Sequence, residues 1–107
     1  MDLARKKLGI LLSTGPEHPN LDTALGLGTA ALARGTDLYL YLIDEGVRTL
    51  GDPRLRALPA RGAKLFACAY GCQKRRIALE DSPDVSYCGL VVLTDLLNAT
   101  DRFVALN

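Results

Sequence analysis

The chain has 107 residues, of which 49% are hydrophobic and 23% charged, with a formal net charge of +1 at neutral pH. That size and mix describe a single globular domain over residues 1–107, able to bury a conventional core, and exclude fibrous or disordered chains. A net charge so near zero provides no global field to gather nucleic acid or an anionic membrane surface, so no direct nucleic acid binding is expected.

The first apolar run, residues 8–12, is continuous rather than alternating and predicts a strand buried on both faces. It is too short for a signal-peptide core or a membrane span, so the sequence predicts a cytoplasmic protein with no membrane association. Residues 13–19 read as loop. Asn20 is a capping type, and Leu21, Ala24, Leu25, Gly28, Ala31 and Leu32 recur at three- and four-residue spacing. A helix is therefore expected there, closed by Arg34-Gly35. Residues 38–43, rich in Leu and Tyr, predict the second strand. Strand, helix, strand in that order implies a right-handed crossover and parallel pairing.

Residues 44–62 contain Gly46, Gly51, Pro53, Pro59 and Gly62 and read as an irregular connection, with one short helix over 54–58 opened by Asp52-Pro53. So long a connection in a small domain is usually functional or part of an interface. A third strand over residues 65–68 ends on Cys68, and a helix over 70–79 follows until Ser82-Pro83 breaks the pattern. Residues 85–87 predict a short strand, 89–98 a helix with Leu90, Leu93, Leu96 and Leu97 on one face, and 103–106 a closing strand. The alternation predicts an α/β fold, a three-layer α/β/α sandwich on a mostly parallel sheet of about five strands.

Three cysteines, an odd number, make reduced thiols rather than a disulfide framework the expectation. Cys68 stands where strand gives way to helix. Unpaired N–H groups and the positive end of the helix dipole at such a point favour thiolate over thiol, which makes Cys68 the candidate catalytic residue. Its other reading is small apolar filling at a strand end. Ligands and reactive groups in parallel sheets gather beyond the carboxyl ends of the strands, where Ser13-Thr14-Gly15, Asp44-Glu45-Gly46 and Cys68 all fall.

Cys72 lies one helical turn after Cys68 and is a weak candidate for a resolving or sulfur-accepting thiol, while Cys88 reads as packing. Lys74, Arg75 and Arg76 point in different directions on a helix, and Arg75 is assigned inward, toward the thiolate. His18, in the first loop, is a candidate acid, base or anion contact. The single histidine and the C-x3-C spacing do not make a zinc site, so no metal is expected. Gly26-Leu27-Gly28 lies within a helix rather than at a strand-to-helix turn, and reads as packing rather than as a dinucleotide fingerprint.

Together these segments resemble the DsrE/DsrF/TusD family of sulfur-relay proteins. Ser13-Thr14-Gly15-Pro16 with the helix after it and Arg34-Gly35 resembles the family's first loop and helix, and Asp44-Glu45-Gly46-Val47 its acidic-Gly-Val turn. Leu65-Phe66-Ala67-Cys68-Ala69-Tyr70-Gly71-Cys72, continuing through Gln73-Lys74-Arg75-Arg76-Ile77, is similar to its strand, cysteine, small residues and Arg-Gly-apolar run. Asp101-Arg102-Phe103-Val104 resembles its closing strand. Where the family usually places glycine after arginine, this chain has Arg76, which implies ordinary helix there instead of a turn.

The resemblance implies a cytosolic sulfur carrier, sulfurtransferase-like, that accepts sulfane sulfur as a persulfide on Cys68 and passes it to a partner thiol without a cofactor. Its partners would be sulfur donor and acceptor proteins and copies of itself, in a trimer or hexamer. Arg75 would stabilise the thiolate, and Thr14, Gly15, His18, Glu45, Tyr70 and Cys72 would shape the pocket. Two rivals stand beside it. One is a non-catalytic oligomeric interaction or small-ligand-binding subunit in which Cys68 is simply buried; the other is a thiol redox protein using Cys68 with Cys72.

Overall fold

The apolar runs form strands in the structure, a computed structural model that describes residues 4–107. They are β1 (Lys7–Leu12), β2 (Asp37–Leu42), β3 (Lys64–Cys68), β4 (Val85–Cys88) and β5 (Arg102–Leu106). All neighbours pair in parallel, in the order β4-β3-β2-β1-β5. Parallel neighbours cannot be joined by hairpins, so each connection crosses over a face of the sheet. Helix α1 (Asn20–Ala33) joins β1 to β2, and α2 (Pro53–Arg56) lies between β2 and β3. Helix α3 (Ala69–Lys74) follows β3, and α4 (Leu90–Ala99) joins β4 to β5. The first three crossovers step from β1 out to β4, whereas the last returns past β1 to β5. Right-handed connections therefore place α4 on the face opposite α1, giving the three layers.

Register decides which side chains share a face. Ile10, Leu40 and Leu65 stand side by side across β1, β2 and β3, as do Leu12, Leu42 and Ala67, and all six are buried. Leu21, Ala24 and Leu25 of α1 complete that core with Val47 and Leu55 from the long connection. Gly28 of α1 fits the close helix-to-sheet approach, since a Cβ there would stand 3.0 Å from a Leu38 methyl. The opposite face carries Tyr41, fully buried, whose hydroxyl donates to the Gly89 carbonyl at 3.0 Å. Burying a large apolar side chain in this way stabilises the fold by about 1.5–3 kcal/mol.

Four local expectations are corrected. Asn20 does not cap α1 but is its first residue, and His18 Nδ1 accepts the Asn20 N–H at 3.0 Å instead. The connection over residues 44–62 is mostly helical: a 3₁₀ segment over Asp44–Gly51, then α2 capped by Asp52, then a second 3₁₀ turn over Leu58–Arg61. Val47, Thr49, Leu50, Leu55 and Leu58 are buried, so the apolar residues of this connection build the core rather than an exposed interface. Helix α3 ends at Lys74 and not at residue 79, because Arg76 takes the left-handed conformation at φ 58°. The Arg76 N–H then reaches the Gln73 carbonyl at 3.1 Å and the Ile77 N–H the Cys72 carbonyl at 2.8 Å, the paired bonds that close a helix. Arg76 thus makes a turn in spite of lacking glycine. On α4, only Leu96 is buried of the four leucines read onto one face. Leu90 and Leu97 are 62% and 51% exposed.

Candidate functional site

Strand β3 delivers Cys68 to the carboxyl edge of the sheet as the last strand residue and the cap of α3. Its Sγ accepts the Gly71 N–H at 3.4 Å, doing with sulfur what Ser or Asp oxygen does at most helix starts. The residue is 7% exposed.

The turn after β2 is pressed against the end of β1. At Gly46 a Cβ would stand 2.0 Å from the Leu12 carbonyl oxygen, so only glycine permits the approach. That contact carries Val47 to the side of Gly71 and sets Glu45 facing α3. Arg75 Nε donates to Glu45, and its Nη1 donates to the Gly71 carbonyl at 3.2 Å. Arg48 Nη1 in turn reaches Glu45 at 3.2 Å and Glu17 at 2.9 Å. Four charges of alternating sign, Glu17, Arg48, Glu45 and Arg75, therefore tie the loops after β1 and β2 to the end of α3. The Arg75 guanidinium holds the Glu45 carboxyl below the usual carboxylate range. Backbone hydrogen bonding and Arg48 do the same to Glu17. Arg75 Nη1 and the Cys68 Cβ both border the point where a Gly71 Cβ would stand, at 3.7 Å and 3.6 Å, with the Arg75 cation engaged by Glu45.

All three cysteines gather here. Cys72 is fully enclosed, and burial pushes its thiol up, with the Cys68 sulfur adding to the shift and Arg75 opposing it. Cys88 is the register partner of Cys68 across β3 and β4, and its Sγ lies 3.9 Å from the Ala67 carbonyl. Burial pushes the Cys88 thiol up while the Tyr41 hydroxyl draws it back. Burial first, then the Cys88 and Cys68 sulfurs, push the Tyr41 phenol far above its ordinary range.

The other sequence candidates are spread more widely. Gly15 lies under the Arg48 and Glu17 side chains. The Thr14 hydroxyl is buried with no hydrogen-bond partner among the described residues. Both follow β1, two strands and so about 10 Å across the sheet from β3. His18 is exposed and serves the start of α1. Tyr70 is 70% exposed and does not bury the sulfur. Sequence reasoning misses Arg48 and Glu17, whose pairing depends on two loops meeting, and favours packing over a functional part for Cys88. The signal for Cys88 was its place at the end of a strand, but strand register was needed to use it.

Two cavities lie at the amino ends of the strands, away from Cys68. One, of about 330 Å³, is lined by residues including Lys64, Phe66 and Ser86; the other, of about 520 Å³, by residues including Leu8, Leu27 and Arg102. Among the described residues no group of three His, Cys, Asp or Glu side chains is placed to hold a metal ion. No helix among them is long and apolar enough to cross a membrane.

Comparison with known proteins is consistent with this layout. The chain matches the DsrE/DsrF-like family over residues 6–106. Its fold is similar to that of the ychN protein of E. coli, with a TM-score of 0.81 at 18% identity, covering 95% of this chain and 99% of that one. It is also similar to a conserved protein of unknown function from Bacteroides thetaiotaomicron, with a TM-score of 0.79 at 16% identity, covering 94% and 95%. No curated protein matches the sequence.

Proposed function

Since this chain belongs to the DsrE/DsrF-like family, we propose that it is a sulfur-relay protein carrying sulfane sulfur as a persulfide on Cys68. The observation that supports the reading most is the placement of that thiol at the junction of β3 and α3, with Sγ on the Gly71 N–H. The Cys68 thiolate attacks the outer sulfur of a donor persulfide, the donor S–S bond breaks, and the donor leaves as a thiolate. An acceptor thiolate then attacks the outer sulfur of Cys68–S–SH, and Cys68 leaves as a thiolate in its turn. The Gly71 N–H supports negative charge on Cys68 Sγ as nucleophile and again as leaving group. Arg75, held by Glu45, adds positive charge beside the same turn. Donor and acceptor proteins in the cytosol, and a homo-oligomer of three or six copies, complete the proposal.

The 7% exposure of Cys68 favours a second reading, a non-catalytic interaction subunit in which the thiol is packing. Carrier function requires local opening, and the short α3, whose far end is held to Glu45 by an exposed ion pair, is an element able to open without global unfolding. Alkylation of the native protein, read by peptide mass mapping, separates the two. A carrier labels at Cys68 faster than the protein globally unfolds; labelling of Cys68 only in denaturant gives the second reading.

A further inference from the structure

Cys88 has no part in the relay as set out above, yet it is the residue directly opposite Cys68. The two end adjacent parallel strands in register, so both side chains leave the same face of the sheet. Neighbouring strands run about 4.8 Å apart, within the range of Cα separations that a disulfide spans. The Cys88 sulfur lies near the carbonyl of Ala67, the residue before Cys68, and so leans toward β3. Cys72 offers less: it is fully enclosed, whereas Cys88 is half-buried and so open in part to a reductant.

We propose that Cys88 is the resolving thiol of Cys68, ending the persulfide state when no acceptor protein takes the sulfur. The inference rests on the carrier reading of Cys68. The Cys88 thiolate attacks the inner sulfur of Cys68–S–SH, a Cys68–Cys88 disulfide forms, and the S–SH bond breaks with its electron pair leaving as hydrosulfide. The carrier gives up its sulfane sulfur in reduced form and is itself left oxidised. An external dithiol reductant returns both cysteines to thiols for the next cycle. Burial pushes the Cys88 thiol up, so few of these groups are ionised at neutral pH and release is slow beside transfer to an acceptor thiolate.

The test loads the full-length protein with a small persulfide donor, removes the donor, and follows hydrosulfide and intact mass with time. Wild type and Cys72→Ser should release one hydrosulfide per loaded chain, ending at the reduced mass less two hydrogens, with a mapped Cys68–Cys88 bridge. Cys88→Ser and Cys88→Ala should keep the mass of the added sulfur and release none. A wild type that keeps its persulfide as long as Cys88→Ser does, or a bridge that maps to Cys72, overturns the inference and leaves the carrier reading standing. Failure of every variant, Cys88→Ser included, to take up sulfur removes the carrier reading and this inference with it.

Discussion

Cys68 shows how little a residue type says until its neighbours are placed. The sequence marked it by position alone, a thiol between an apolar run and a helix, and the structure adds the Gly71 N–H on its sulfur and two further thiols beside it. The charged residues around it make a prediction about acid. Glu17 and Glu45 are held below the usual carboxylate range as described, and Asp52 is held there chiefly by the Arg54 side chain. Each therefore protonates at lower pH in the folded protein than in the unfolded chain. Their contribution is complete above the unfolded-state pKa and is lost as pH falls through the folded-state value, so stability should decline on acidification below about pH 5. All three pairs are surface contacts, so the decline is modest and shrinks in high salt. Urea midpoints at pH 7 and pH 3, in low and high salt, measure it; a midpoint unmoved by acid would contradict the assignment.

At the scale of elements, the strands were legible because a parallel sheet buries both faces and leaves continuous apolar runs such as residues 8–12. Helix ends were less so. Nothing in Arg75-Arg76 announces a left-handed residue, since that signal is normally glycine, so the sequence predicts helix to residue 79 where the structure ends it at Lys74. The connection over residues 44–62 reads as irregular because its glycines and prolines interrupt long helices, yet they admit the short 3₁₀ and helical turns found there. Two substitutions test these elements. Arg76→Gly should stabilise the protein by about 1 kcal/mol, since glycine adopts φ 58° without the steric cost borne by arginine. An unchanged or lower urea midpoint would mean that the turn is not where the structure puts it. Gly46→Ala should cost at least about 2 kcal/mol, because its methyl would meet the Leu12 backbone, which cannot move aside as a flexible side chain would. A near-neutral result would refute the close approach of that turn to β1.

Across the whole molecule, the order β4-β3-β2-β1-β5 brings the ends of β1, β2 and β3 to one edge and leaves α4 alone against the far face. Helix α4 exposes Leu90, Val91 and Leu97, with Val91 76% accessible, a run of apolar surface that an isolated domain does not need. This is where the proposed trimer or hexamer should be held together, rather than by the core-facing connection over residues 44–62. Light scattering at micromolar concentration should give a multiple of the chain mass, and Val91→Glu should reduce it; a wild-type monomer would contradict the assembly. The central claim, that Cys68 carries sulfane sulfur, is tested most directly by intact-mass analysis of the native protein soon after exposure to a persulfide donor. The account predicts the added mass of one sulfur atom, mapped to the Cys68 peptide, present in Cys72→Ser and absent from Cys68→Ser; no added sulfur, or sulfur that persists in Cys68→Ser, would contradict it.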